Sequence, residues 1–340
     1  MEEIVYFFPS GHEAHREPGH PERPERVEAI RAALAEAGWW DEFPHLEPLE
    51  IPVDVLHRVH DPEYLAHLKK VCHKGQRYDM DTYTTAESCQ LALNAAGGGI
   101  AVADAVWQRA AKRGFALTRP PGHHATQDRA MGFCLLNNIA IAAEYLIQRY
   151  GAKRVAIIDL DLHHGNGTQD IFYQRADVFY FSTHQSPLYP GTGRISETGE
   201  GEGEGTTANF PLPPMSGNES FISVMDGLIL PLLDRYRPEM ILVSYGFDPH
   251  RNDPLGGLLL TAGTYGELVA RLTAWADQNC EGRIALFLEG GYDLQAAKDC
   301  SLAVVGALLG KSWDSEEERS PREGLNWQGM VKEAKRVWEL

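Results

Sequence analysis

Basic residues are scarce in this 340-residue sequence: Lys and Arg number 31 against 48 Asp and Glu, a formal charge of −17. Such a surplus of anions repels phosphate backbones and anionic lipid surfaces, so nucleic-acid and membrane partners are disfavoured. Cysteine is also sparse. Cys72, Cys89, Cys134, Cys280 and Cys300 lie far apart with no CxxC spacing, which argues against a disulfide frame and against a cysteine zinc site. Long apolar runs are missing too, none approaching the roughly 18 residues of a membrane span. The first residues are two acids and a short apolar run, Ile4 to Phe8, unlike the basic start and longer apolar stretch of a secretory signal. A cytoplasmic protein is expected. What is present is ordinary globular usage, 43% hydrophobic and 23% charged, in a length that suits two domains or one large α/β unit.

Apolar residues recur at helical spacing over Pro24–Gly38, Pro62–Cys72 and Ala86–Lys112, the last interrupted by Gly97, Gly98 and Gly99, which suggests close packing. Short apolar runs at Ile4–Phe8, Phe115–Thr118, Val155–Ile158, Val178–Ser182, Met240–Ser244 and Ile284–Leu288 read as strands. Helical patterns at Leu136–Tyr150, Glu219–Tyr236, Thr261–Asn279 and Leu294–Leu309 separate most of them. This alternation predicts an α/β fold, a central parallel sheet flanked by helices in a single domain. The expected domain covers residues 1–311, with 312–340 as a C-terminal helical extension packed on it, and Thr198–Thr206 reads as a solvated loop.

Ligands of open α/β sheets bind beyond the carboxyl ends of the strands. Four strand ends here run into polar groups: Arg119-Pro120-Pro121-Gly122-His123-His124, Asp159 to Asn166, Tyr245 to Asp248, and Glu289 to Tyr292. Side chains alternate along a strand, so Asp159, Asp161 and His163 share one face while Leu160 and Leu162 share the other. Carboxylates clustered in this way are costly to desolvate unless a cation neutralises them. Asp161, His163 and Asp248 supply three ligands with a fourth position left open, the pattern of catalytic zinc. Two oxygens and one nitrogen also suit iron or cobalt; one zinc per chain is the expected ion. The tandem His123-His124 offers groups to take a proton from water and return it to a leaving amine, with Asp159 and Asn166 available to fix the ring tautomers. Tyr292, after Gly290-Gly291, can donate to an oxyanion.

RPPGHHA (119–125), GFCLLNN (132–138), DLDLHHGNGTQ (159–169), SYGFDPHRNDPLGG (244–257) and LEGGYDL (288–294), in this order, resemble the histone-deacetylase superfamily on its arginase-like fold. The resemblance is to the branch of class II deacetylases, bacterial deacetylase-like amidohydrolases and acetylpolyamine amidohydrolases. GHPERPER (19–26) and RVHDPEYL (58–65) extend it. The resemblance implies zinc on Asp161, His163 and Asp248, His123 and His124 as the tandem histidines backed by Asp159 and Asn166, and Tyr292 polarising the carbonyl. It also implies K+ or Na+ as structural ions, one site at Asp159, Asp161, His163, Ser182 and Thr183, another using carbonyls of Phe172 and Val178. Phe133, beside Gly132, matches an aromatic wall of the acyl tunnel; Tyr189 maps to the facing wall, where many relatives have phenylalanine, and His20 and Leu255 map near the mouth.

The activity so implied is zinc-dependent removal of acetyl or similar acyl groups from lysine side chains or small amides, with acetylpolyamine hydrolysis as the alternative. Leu255 stands where a polyamine-preferring eukaryotic relative carries glutamate. An arginase-like two-metal site would need further ligands where Gly165 and His250 stand, and a non-catalytic acyl-lysine binder would not need the full catalytic set present here. A homo-oligomer is compatible with the sequence.

Overall fold

The computed structural model describes residues 1–311, 313 and 323–340. Seven strands, β1 (Glu2–Phe7), β2 (Ala111–Ala116), β3 (Val155–Asp159), β4 (Val178–Gln185), β5 (Thr207–Leu212), β6 (Met240–Tyr245) and β7 (Ile284–Leu288), form one sheet in the order β1-β2-β7-β6-β3-β4-β5. Every pairing is parallel. A parallel sheet needs crossovers that cover both faces, and the strands accordingly bury apolar side chains in both directions. Ile158, Phe181, Val243 and Leu286 enter one core with the helices Glu25–Glu36, Ala262–Asn279 and Leu294–Leu308. Ile157, Tyr180, Leu242 and Phe287 enter the other with Ser88–Trp107 and Asn138–Tyr150.

The departures from the sequence reading have physical causes. The strand expected at Phe115–Thr118 begins four residues earlier, because Arg113 is buried within it, donating to Gly282 O and pairing with Asp277, so its charge masks the strand. The preceding helix therefore stops at Trp107 rather than Lys112. β5 went unforeseen: it carries Asn209 and Pro211, and lies at the sheet edge where a missing N–H is tolerated. The helix Ser88–Trp107 is long and apolar enough on average to cross a membrane, which a search for unbroken apolar runs misses; 67% of its apolar window is buried inside the protein. Its glycines permit this. A Cβ on Gly98 would come within 2.3 Å of the Phe7 ring, and one on Gly99 within 2.5 Å of Phe287. Residues 312 and 314–322 of the expected extension lie outside the described residues; beyond them, the helix Trp327–Val337 buries Trp327, Met330, Val331 and Ala334 in the first core.

Candidate active site

The strand order sets β2, β7, β6 and β3 side by side, so the four polar segments emerge together at one sheet edge. β3 ends at Asp159, and the turn beyond it carries Asp161 and His163, while Leu160 and Leu162 point into the core. Each acid is held by backbone donors. Asp159 Oδ1 accepts from Asp161 N, Asp161 Oδ1 from His163 N at 2.9 Å, Asp161 Oδ2 from Gly290 N at 2.8 Å, and Asp248 Oδ1 from Leu162 N at 2.9 Å.

Asp161, His163 and Asp248 present ligand atoms that all lie within 4.8 Å of one another. His163 Nδ1 is 3.2 Å from both Asp161 Oδ1 and Asp248 Oδ2. One ring N–H cannot serve both, and among the described residues Asp248 Oδ2 is left buried without a donor. Glycine keeps the space beside these oxygens open: a Cβ on Gly290 would stand 2.3 Å from Asp248 Oδ2 and 2.7 Å from Asp161 Oδ2. An orphaned buried oxygen, three convergent donors and a side-chain-free wall fit a bound divalent cation.

His123 donates through Nδ1 toward Asp159 Oδ2 at 3.0 Å, and His124 through Nδ1 toward Asn166 Oδ1 at 2.8 Å. Burial opposes charge on both rings, with different outcomes. For His123 the Asp159 and Asp161 carboxylates outweigh it and push the pKa up to about 10. For His124 burial is joined by the charges of His123 and His163, so its pKa falls well below the ordinary value. Neutral Asn166 cannot reverse this. The outcome is one charged ring and one neutral ring, 4.1 Å apart.

A cavity of about 280 Å³ joins these groups. His123, His124, His163 and Tyr292 line it together with Phe133, Leu188, Tyr189 and Leu255. Gly132 lines it too and, like Phe133, has a left-handed backbone, which turns the Phe133 ring to within 5.7 Å of Tyr292. Tyr189 faces His124 edge-on at 5.2 Å. Tyr292 has its ring 4.9 Å from the Arg26 guanidinium. Burial raises that phenol well above its usual pKa, keeping it a donor.

His20 packs against Phe133, 4.6 Å between rings, with Nε2 on Asp81 O, and lines a neighbouring hollow that also touches Tyr292. Ser182 sits in register with Asp159 and bonds His184, and Thr183 Oγ1 is buried without a partner among the described residues. Phe172 O already accepts from Arg175 N, and Val178 opens β4.

Four supporting residues escaped the sequence reading. Asp253, which appears there only within the SYGFDPHRNDPLGG segment, accepts from Tyr292 N at 2.6 Å and Leu255 N at 3.0 Å, tying the phenol's loop to the mouth. Glu22 and Arg119 form a fully buried ion pair at 2.7 Å, and Arg26, also paired with Glu22, donates to Gly291 O and Glu289 O. Their signal was present in GHPERPER and RPPGHH, but pairing between distant segments leaves no spacing to read.

Residues 20–308 match the histone deacetylase domain. The chain is 42% identical over 281 residues to a probable deacetylase of Archaeoglobus fulgidus, covering 82% of this chain and 77% of that protein. It is 44% identical over 272 residues to the chloroplastic histone deacetylase 10 of Oryza sativa subsp. japonica, covering 76% of this chain but only 61% of that one. The crystal structure of the HDA15 HD domain superposes with a TM-score of 0.90 at 34% identity, covering 99% of this chain and 95% of that one. With its seven-stranded parallel sheet and tandem-histidine cavity, the chain belongs to the histone deacetylase family, a family of hydrolases.

Proposed function

We propose that the protein is a zinc-dependent deacylase that removes acetyl or similar acyl groups from lysine side chains or related small amides. The observation that carries this reading is the convergence of His123, His124, His163 and Tyr292 on one aromatic-walled cavity. Asp161, His163 and Asp248 would hold the zinc, which when bound supplies a Lewis acid beside the substrate carbonyl. The chain's own residues account for the proton transfers. His124, neutral and with Nδ1–H committed to Asn166, presents Nε2 as the base that takes a proton from the attacking water and later gives it to the leaving amine. His123, held charged by Asp159, places a positive group beside the negative charge that develops on the carbonyl oxygen. The Tyr292 hydroxyl donates to that oxygen. Phe133 and Tyr189 exclude water along the acyl chain.

Acetylpolyamine hydrolysis is the second reading, and the presence of Asp81 among the residues lining the cavity favours it, since an acid there would attract a distal ammonium. Leu255 at the mouth, with no charge to offer, favours acyl-lysine. Structural K+ or Na+ beside Asp159, Ser182 and Thr183, a catalytic unit ending near residue 311 and a cytoplasmic location complete the proposal. A panel of acetyl-lysine peptides, acetylated polyamines and aryl amides tests it. Preferred turnover of acyl-lysine is expected; hydrolysis of none of the three classes overturns the deacylase reading, and a strong polyamine preference puts the second reading first.

A further inference from the structure

The loop from Arg119 to Ala125 carries the tandem histidines, and its backbone attachments can be followed group by group. Thr168 N donates to His123 O, Asn138 Nδ2 to Pro120 O at 3.0 Å, and Ala125 N closes a turn on Gly122 O. Two further donors of the loop are Gly122 N and His123 N. Both end on one carboxylate oxygen, Glu289 Oε2, at 2.7 and 3.1 Å. Its other oxygen accepts from Ser244 Oγ at 3.3 Å. Glu289 is fully buried at the end of β7, its own carbonyl is gripped by Arg26, and the next amide, Gly290 N, holds Asp161 Oδ2. One residue thus joins the histidine loop of β2, the β6 strand and the carboxylate turn of β3. No role in proton transfer falls to it, because it does not line the cavity.

We infer that Glu289 is a positioning residue for amide hydrolysis: its side chain, by reach and paired acceptance of the Gly122 and His123 amides, sets where the His123 and His124 rings stand against the substrate. The inference rests on reading the site as that of an amidohydrolase. Reach matters here and net charge does not. Burial pushes the carboxyl up to about 7 despite the opposing pull of His123, so near neutrality neither ionisation form dominates, yet each offers an acceptor to the two amides.

Two substitutions separate reach from charge. Glu289→Gln keeps the length and an acceptor oxygen; Glu289→Asp keeps the charge but draws the carboxylate back by one methylene. With about 1 Å of misplacement costing roughly 10²-fold, kcat should fall about that far in Glu289→Asp and stay within about fivefold of wild type in Glu289→Gln, with KM within about threefold in both. Divalent metal content per chain should match wild type. The ring 15N resonances of His123 and His124 should move in Glu289→Asp and hold their places in Glu289→Gln. An aspartate variant with wild-type kcat and ring signals, or a glutamine variant disturbed as much as the aspartate one, overturns the inference. If the wild-type protein hydrolyses no amide, the proposed function fails by itself, and the ring spectra still decide whether Glu289 places the histidines.

Discussion

At the inner end of the cavity Asp161 and Asp248 are fully buried, and each carboxylate is fixed by at least one backbone amide; at the mouth Tyr189 and Leu255 are 39% and 37% exposed. The inner groups come from four adjacent strand ends, the outer ones from connecting loops. Charge is confined by hydrogen bonds where bonds are to be broken, and contact is loose where a substrate of unknown shape must enter. Rigid strands thus fix the reaction, and loops are free to set what is admitted.

The largest effect should come from breaking the inner end. Asp161→Asn removes one carboxylate of the three-ligand set, and losing several kcal/mol of charge stabilisation corresponds to a drop of about 10³-fold or more in kcat/KM. Steady-state kinetics with metal analysis of the same sample check this; an active variant with its metal retained would show that the acids are structural only. Tyr292→Phe comes next. It keeps the ring against Phe133 and deletes the donor, so kcat should fall on the order of 10²–10³-fold with KM little changed. Near wild-type turnover would make Tyr292 a wall residue.

Smaller is the response of the scaffold to acid. His60 accepts from Asn137 N at 2.9 Å and donates to Thr126 O at 2.8 Å, bracketing the tandem-histidine loop in its neutral form. Burial lowers its pKa to about 4, and that of buried His15 likewise to about 4. The unfolded chain, with histidine near its ordinary 6.5, binds more protons than the folded one between these values. Stability is therefore full above pH 6.5 and declines as pH falls toward 4, by about 2 kcal/mol per histidine at pH 5. Urea unfolding at pH 7 and pH 5 measures the loss. A His60→Gln variant should lose less than wild type on acidification, and an equal loss would remove His60 from the account.

The smallest effect belongs to the mouth. Leu255→Glu places an anion where the distal ammonium of a polyamine would arrive, worth about 1 kcal/mol at an exposed position. The ratio of kcat/KM for acetylpolyamines over acetyl-lysine peptides should rise, and less so at high salt. An unchanged ratio would move selectivity to Asp81 and the Tyr189 loop.

The same contrast explains how much could be read from sequence. β7 was legible residue for residue, and β3 and β6 to within one, because each is an unbroken apolar run that delivers its polar residues at once. The cavity brings together His123, His124, His163 and Tyr292, which those runs singled out. Arg113 in β2 and Pro211 in β5 were opaque, since one depends on a distant carboxylate and the other on an edge position, both tertiary facts. Asp253 and Glu289 fall inside the SYGFDPHRNDPLGG and LEGGYDL segments, but their long-range bonds to backbone amides leave no trace in the sequence.

The most direct test of the central claim is elemental analysis of the purified protein alongside its amidase activity. Asp161, His163 and Asp248 predict about one zinc per chain, removed by chelation together with activity and restored with it. Two manganese ions per chain, or full activity with no divalent metal present, would contradict the account.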